Sequence, residues 1–217
     1  MSDIFNEVDE EVRREQLKKL WERYGFVFIG LAVLLVAAVG GWRFYEWSEA
    51  KKAAEIGSAF EAAVVLSEQG KHQEAEAAFA KISGEGSPSY RTLAKLREAA
   101  ELSRRDAKAA VAAYDAIAAD GGTNQVLRDL AALRAGYLLI DTDPADEVRR
   151  RLEPLTGSDR AFRHSARALL ALAAWKSNDA AALKRWSDMV LADAETPSGT
   201  RGQIDMLLAL SAADGKT

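Results

Sequence analysis

The longest uninterrupted apolar stretch of the chain covers residues 25–42 and reads GFVFIGLAVLLVAAVGGW. It contains no charged and no strongly polar residue. A helix needs roughly 17 to 25 such residues to cross the hydrocarbon core of a bilayer. Tyr24 and Trp42 stand at its two ends with arginines directly outside them, as amphipathic rings and cations do at the two headgroup levels. The pattern predicts a transmembrane helix over 25–42, anchored in the lipid bilayer by Tyr24, Phe26, Trp42 and Arg43.

Two other interpretations of this stretch are a buried core helix and a cleaved signal peptide. Gly30, Gly40 and Gly41 would weaken a soluble helix by about 1 kcal/mol each, whereas membrane helices tolerate glycine. A signal peptide needs a short basic segment before the apolar residues and a small-residue cleavage site after them. Here a long segment with both charges precedes the stretch, and residues 42–47 read WRFYEW. We therefore expect the helix to stay attached to the chain.

The Lys and Arg residues around this helix predict its orientation. Five of them precede it, at positions 13, 14, 18, 19 and 23, and three follow it, at positions 43, 51 and 52. Because the end richer in Lys and Arg stays in the cytoplasm, the N-terminus is predicted to be cytoplasmic and residues 43–217 periplasmic at a bacterial inner membrane. For residues 1–24, an amphipathic helix at the cytoplasmic membrane surface and a partly disordered charged tail are both open alternatives.

Residues 43–217 have the composition of an almost entirely helical body. Runs such as 74–78 and 108–113 are rich in Ala with interspersed charge, and no run of alternating β-branched residues appears. Glycines predict the helix ends, at positions 70, 84, 86, 121, 122, 157 and 199. Three pairs predict an N-cap residue followed by proline at the first helical position, Ser87-Pro88, Asp143-Pro144 and Thr196-Pro197. Pro154 is expected to bend or end the helix that begins near Pro144.

One pattern recurs along this body with a period of about 34 residues. It has a small residue, an aromatic residue four positions on and an aliphatic residue beyond, in the segments 69–82, 106–117 and 178–189, with a degenerate copy at 143–155. The small positions are Ala75, Ala110 and Ala182, and the aromatic ones are Phe79, Tyr114 and Trp186. Small residues let paired helices approach closely while the aromatic residues fill the next turn. The predicted fold is all-α, a transmembrane helix followed by a tetratricopeptide-repeat-like α-solenoid of antiparallel helix pairs, with an irregular bundle as the alternative.

Catalytic and metal chemistry have little support in the sequence. The chain has no Cys, and its only imidazoles are His72, in an inter-helix turn that favours packing, and His164, beside Arg163 and Arg167, which oppose its protonation. The acidic residues of 141–147 lack the Gly and the distant Glu of an EF-hand loop. No phosphate loop or dinucleotide fingerprint is present. We therefore predict a protein that is not an enzyme and holds no cofactor and no metal.

The overall charge also excludes one class of partner. The formal net charge is −4 and the sequence pI is near 5.4. A nucleic-acid-binding domain calls for a basic face. We therefore expect no nucleic acid among the partners.

With anchor and repeats together, the chain resembles the YfgM family of ancillary SecYEG translocon subunits. The resemblance is carried by Gly40-Gly41-Trp42-Arg43-Phe44-Tyr45, by Ala53 and by the Ala-rich residues 59–64. It implies a single-pass inner-membrane protein with a periplasmic repeat domain and no catalytic role. It also implies association with Sec translocon subunits and a membrane-anchored periplasmic chaperone, and help for client polypeptides that emerge from the channel.

Stacked repeats offer a concave surface for polypeptides. Aligning the repeats on Gly70 gives six candidate partner-binding residues, Phe60, Val64, Lys95, Ala99, His164 and Arg167. Two alternatives remain for the function as a whole. One is a scaffold of a cell-envelope or division complex, and the other is an assembly adaptor that faces the cytoplasm.

Overall fold

A computed structural model describes residues 3–213, with side chains described for residues 18, 19, 21–87 and 90–213. Over residues 3–213 the chain forms α-helices and one short 3-10 helix, and no strand. The helices are α1 (Asp3–Glu68), α2 (His72–Glu85), α3 (Pro88–Leu102), α4 (Ala107–Ala119), α5 (Gln125–Leu139), α6 (Ala145–Leu152), α7 (Arg163–Lys176), α8 (Ala180–Ala192) and α9 (Ser198–Ala213), and the 3-10 helix is Glu153–Leu155. The predicted all-α class is confirmed.

The chain divides into two compact units, with the boundary between Glu55 and Ile56 inside α1. In the first unit, α1 is long and apolar enough to cross a membrane by length and composition. Only 6% of its most apolar window is buried within the chain, and Phe26 is 89% exposed. A core helix would have these side chains covered. The predicted amphipathic face of residues 1–24 depends mostly on the side chains of residues 1–17 and 20, which lie outside the described residues.

The second unit is a series of helix pairs. The end of α1 pairs with α2, and the pairs α3–α4, α5–α6 and α7–α8 follow, with α9 after the last pair. We call the first helix of each pair the leading helix and the second the trailing helix. Each helix from α2 onward packs against the next one along the chain, and α9 packs on both α7 and α8. The predicted series of antiparallel pairs is thus present in the structure.

The predicted small and aromatic positions lie in the core of these pairs. Ala75 and Phe79 of α2 are fully buried, and Ala110 and Tyr114 of α4 are buried in the same way. In the degenerate third copy Val148 and Leu152 of α6 take their places and are also buried. The fourth copy departs slightly, because Ala182 is only partly covered and the neighbouring Leu183 is buried with Trp186.

Side-chain caps begin two of the trailing helices in the same manner. The Asp106 carboxylate accepts a hydrogen bond from the Ala109 amide at 2.9 Å, and the Asp179 carboxylate accepts one from the Ala182 amide at 2.9 Å. Each satisfies one of the free N–H groups at a helix start. The two caps occupy equivalent places in their repeats, which supports the repeat alignment.

Of the three predicted proline starts, one is confirmed and two are wrong by one residue. Helix α3 begins at Pro88 with Ser87 as its N-cap. Helix α6 instead has Pro144 as its N-cap, with an extended backbone (φ −56°, ψ 144°), and begins at Ala145. The carbonyl of Pro197 likewise accepts the Arg201 amide at 3.1 Å, and α9 begins at Ser198. In both, the proline supplies the first acceptor of the helix and not its first helical residue.

The predicted glycine stops are correct in the turns and wrong at two positions. Gly70 adopts φ +76°, a left-handed conformation that glycine accepts without strain, in the turn between α1 and α2. Gly84 and Gly199, however, lie inside α2 and α9. Their cost of about 1 kcal/mol each is small beside the packing that holds the helices. Pro154 ends α6, as expected, because the backbone after Leu152 continues as the 3-10 helix.

Candidate partner-binding groove

A groove of about 570 Å³ lies between the leading helices of the first three pairs, the end of α1, α3 and α5. We call it the arginine groove and define it by Phe60, Leu93, Arg97, Arg104, Leu130 and Arg134. Leading helices of stacked repeats line the concave side of a superhelix, which is where such proteins hold extended partners. The groove is therefore the candidate binding site of the described residues.

The spacing of residues on α3 explains one wall of the groove. Leu93, Arg97 and Ala100 follow each other at intervals of four and three residues, so they share one face of α3, and Arg104 continues this row in the turn after the helix. Leu93 stays 40% exposed on this face. On α5, Leu130 and Arg134 lie one turn apart and form the opposite wall. The groove thus combines apolar and cationic side chains on both walls.

Buried aromatic residues make the floor and the end of the groove rigid. The Tyr114 hydroxyl donates to the Leu96 carbonyl at 3.5 Å. Burial raises the pKa of Tyr114, against the opposing influence of Arg134 and Arg97, so the phenol stays protonated at neutral pH. At the α1 end, Phe60 packs edge-on against Phe79 with ring centroids 5.3 Å apart. These contacts hold the groove in shape before any partner arrives.

One carboxylate, that of Glu101, also lines the groove, and its hydrogen bonds go to side chains of α1 and α2. Glu101 is 5% exposed. It accepts a hydrogen bond from the Ser67 hydroxyl at 2.6 Å, and its other oxygen lies 2.7 Å from Nδ1 of His72. These bonds join α1 and α2 to α3. Arg104 reaches Glu101 only at 3.9 Å, which is too long for a hydrogen bond.

The arginines of the groove differ from most other arginines of the second unit. Among the described side chains, no carboxylate forms an ion pair with Arg97 or Arg134, and both are exposed. Elsewhere, ion pairs with Asp or Glu engage Arg105, Arg149, Arg150, Arg151, Arg160, Arg163, Arg167 and Arg185. The groove is therefore cationic although the chain as a whole carries a net charge of −4.

Of the six candidate partner-binding residues, only Phe60 lines this groove. Val64 is half-buried and packs against the aromatic cluster around Phe79. Lys95 and Ala99 line a different cavity, on the side of α3 that faces α2 and α4, and Ala99 is buried. The sequence candidates on α3 therefore line a different side of the helix from this groove, and their role in partner binding stays a prediction. Arg97, two positions beyond Lys95, lines the groove in their place.

The other two candidates, His164 and Arg167, belong to a network at the far end of the repeats. Arg167 is buried, and its guanidinium donates to the Thr156 carbonyl at 2.8 Å and to Asp193 at 2.9 Å. Nδ1 of His164 is hydrogen-bonded to the Thr196 hydroxyl at 3.0 Å. These bonds tie α7 to the loop after α8, so both side chains are engaged within the chain.

The charges of this network keep His164 neutral and Asp193 ionised. Burial, together with the guanidinium groups of Arg163 and Arg167, lowers the pKa of His164, in the direction that the sequence predicts. A hydrogen bond from Arg163 is the main cause that holds the pKa of Asp193 well below its usual range. His164, Asp193 and Glu195 bring possible metal-ligand atoms within 4.8 Å of one another. The Arg163 guanidinium donates hydrogen bonds to both carboxylates and so already supplies them with a cationic partner.

Comparison with known proteins agrees with the repeat pattern. The model of the tetratricopeptide repeat-like domain matches residues 18–169, which include the apolar stretch and extend into α7. No curated protein and no solved structure matches the chain significantly. Domains of this kind are typically non-catalytic protein-interaction modules, and no enzyme family is indicated. The chain belongs to the family of the tetratricopeptide repeat-like domain.

Proposed function

We propose that this protein is a membrane-anchored interaction module that holds a polypeptide partner in the arginine groove. The observation that carries the proposal is the groove itself. Its aromatic end is rigid, its leucines are partly exposed, and two of its arginines lack an ion-pair partner among the described residues. Exposed apolar side chains of this kind often mark a site for a protein partner, and a groove lined by apolar and cationic side chains is suited to a peptide segment.

The aromatic side chains at the C-terminal end of the apolar stretch support a membrane anchor. Trp42, Phe44, Tyr45 and Trp47 are 60–68% exposed. Because successive residues turn by about 100° around a helix, these rings point to all sides of α1. A headgroup layer surrounds a helix completely, whereas a protein partner would touch one side. We propose that residues 25–42 span the inner membrane with residues 1–24 in the cytoplasm and residues 43–217 in the periplasm.

The proposed partners are those that the resemblance to the YfgM family implies. They are Sec translocon subunits, a membrane-anchored periplasmic chaperone and client polypeptides that leave the channel. The family match, which takes in the apolar stretch and the repeats together, is compatible with a repeat domain that works at the membrane. A role as scaffold of a cell-envelope or division complex would use the same groove, so the identity of the bound protein decides between the two.

In-cell photocrosslinking tests this function. A photoreactive amino acid is placed at Leu93 or Leu130 in the groove and, as a matched control, at Met206, an exposed apolar residue of α9. We expect adducts with translocon subunits or emerging polypeptides from the groove positions and not from Met206. Division proteins in the groove adducts would favour the scaffold function. Equal adducts from Met206 and from the groove would contradict the proposal.

Protease treatment of spheroplasts tests the orientation. We expect the repeat domain to be digested as soon as the outer membrane is opened, because residues 43–217 are proposed to be periplasmic. A domain that resists digestion until the inner membrane is broken would reverse the orientation and favour the cytoplasmic adaptor.

A further inference from the structure

We propose that the arginine groove selects acidic polypeptide segments, with carboxylates about three residues apart beside an aliphatic or aromatic side chain. This inference rests on the proposed function, because it names the chemistry of the partner in the same groove. The charged side chains of the groove favour such a segment. Arg97, Arg104 and Arg134 line the groove, and the one adjacent carboxylate, Glu101, is buried and hydrogen-bonded to Ser67 and His72.

Two of the arginines that line this groove have no ion pair among the described side chains. Most other arginines of the second unit form ion pairs with Asp or Glu, while Arg97 and Arg134 have none among the described residues. A guanidinium presents a fork of N–H donors that matches a carboxylate with two parallel hydrogen bonds. The groove therefore offers the charge and the donors that an acidic side chain requires.

The positions of the arginines suggest how the carboxylates are spaced. Arg104 follows Arg97 by seven residues. Arg97 lies in α3 and Arg104 in the turn directly after it, so a rise of about 1.5 Å per residue up to Leu102 and about 2 Å per residue beyond it separates their backbone positions by about 11 Å. An extended chain covers that distance in about three residues. Arg134 lines the groove from α5 and adds a third guanidinium.

The apolar side chains of the groove favour a polypeptide over other anions. Leu93 is 40% exposed between the arginines and the aromatic end at Phe60, and Leu130 faces it from α5. A phosphate-rich polymer would leave these side chains uncovered. It would also be repelled by the net charge of −4, since nucleic-acid-binding domains present a wide basic face. A segment that alternates acidic and apolar residues satisfies both kinds of side chain.

Fluorescence anisotropy with the full-length protein in detergent tests the selectivity. Three labelled peptides are compared, identical except that two positions three residues apart, flanking Leu and Phe, are both Glu, both Gln or both Lys. We expect the Glu peptide to bind about tenfold more tightly than the Gln peptide, the size of two partly exposed ion pairs, with the Lys peptide weakest. The advantage of the Glu peptide should shrink as salt is raised, because exposed charges are screened.

Two variants locate the effect. Arg97→Gln combined with Arg134→Gln should remove most of the preference for the Glu peptide. Arg91→Gln is the matched control, since Arg91 is exposed on the same helix but is not part of the groove, and it should leave the preference unchanged. Circular dichroism checks that each variant keeps the helical content of the parent protein.

The outcomes separate this inference from the function on which it rests. Equal binding of Glu and Gln peptides, together with groove-specific crosslinks, would overturn the charge selectivity and leave the proposed function standing. A preference that survives the double substitution would also overturn it. If the protein binds phosphatidylglycerol vesicles but not the Glu peptide, and the double substitution weakens the vesicle binding, the ligand of the groove is a lipid and not a polypeptide. Failure of all peptides and of the groove-specific crosslinks would reject both proposals.

Discussion

At the scale of single residues, Asp193 joins the last helices of the second unit. Its carboxylate accepts hydrogen bonds from Arg163 at 3.1 Å, from Arg167 at 2.9 Å and from the Glu195 amide at 3.1 Å. These bonds, the one from Arg163 above all, lower the pKa of Asp193. A carboxyl group with a lowered pKa stabilises the folded state above its unfolded pKa of about 3.9, and this contribution is lost as the pH falls through the folded value.

We therefore expect Asp193→Asn to lower the melting temperature at pH 7 and to have progressively less effect as the pH falls below about 4. Thermal unfolding followed by circular dichroism at a series of pH values measures this. Asp188→Asn is the control, because Asp188 pairs only with Lys184 in an exposed i,i+4 contact, and it should leave the melting temperature nearly unchanged. The same loss of stability for Asp193→Asn at pH 3 and at pH 7 would contradict the assigned role of its charge.

The residues of the groove show where sequence reasoning reaches its limit. The place of Phe60 in the groove could be predicted, because Phe60 lies on the helix directly before Gly70, the glycine on which the repeats are aligned. Arg97 and Arg134 could not, because the connection between α2 and α3 is two residues long, 86–87, whereas that between α4 and α5 covers 120–124. Each residue of difference rotates the next helix by about 100°, so an alignment on trailing helices does not fix which face of a leading helix points inward.

The pairing of arginines is also invisible in the sequence. Arg105 bonds Glu76, 29 positions earlier, and Arg151 bonds Asp115, 36 positions earlier. Arg185 bonds Glu153, 32 positions earlier. These separations are close to one repeat, because stacked repeats bring equivalent positions together. Arg149 and Arg150 pair with acids three positions earlier, but packing between repeats also decides which arginines stay without an acid.

At the scale of helices, Gly136 on α5 sets the approach of α6. A Cβ atom at this position would lie 2.5 Å from Cδ2 of Leu152, which is fully buried. Such overpacking costs about 1–3 kcal/mol, while alanine regains about 1 kcal/mol of helix propensity. We expect Gly136→Ala to lower the free energy of unfolding by about 1 kcal/mol, measured by urea denaturation.

A control and a second background make this test specific. Gly202→Ala, in α9, should raise the free energy of unfolding by about 0.5–1 kcal/mol, because its Cβ atom would meet open space. In a Leu152→Ala background, Gly136→Ala should become neutral or stabilising, since the clashing side chain is gone. An equal loss from Gly136→Ala in both backgrounds would show that the contact with Leu152 is not the cause.

The sequence predicts helices better than it predicts their ends. The spacing of Ala75 and Phe79 recurs in several copies, so it is not a chance match at one place. The helix pairs predicted from it are therefore correct. Pro144 and Pro197 each lie one residue from the predicted place, because a proline fits the N-cap as well as the first helical position. Gly84 and Gly199 mislead for a related reason. Their helix penalty is local and small, and contacts between helices outweigh it.

At the scale of the whole molecule, charge and hydrophobicity are separated along the chain. All the charged residues lie outside residues 25–42, and the side chains of those residues are mostly exposed. Soluble proteins rarely leave so large an apolar surface uncovered. One family model matches both this stretch and most of the repeats, so the apolar helix and the repeats that follow it belong to the same family domain. This separation of apolar and charged residues is compatible with a single-pass membrane anchor attached to an interaction domain.

Charges placed in the middle of the apolar stretch should therefore release the protein from the membrane. An arginine at the centre of a spanning helix costs about 2.5–3.5 kcal/mol, so Val33→Arg with Leu34→Arg costs about 5–7 kcal/mol. We expect the parent protein to stay in the membrane pellet after alkaline carbonate extraction and the double variant to appear in the supernatant or to be degraded. The matched control, Ala53→Arg with Ala54→Arg, adds the same charge at exposed positions of α1 outside the stretch and should remain in the pellet. Retention of the Val33 and Leu34 variant at the parent level would mean that residues 25–42 do not cross the bilayer, and the proposed periplasmic site of the groove would then fall as well.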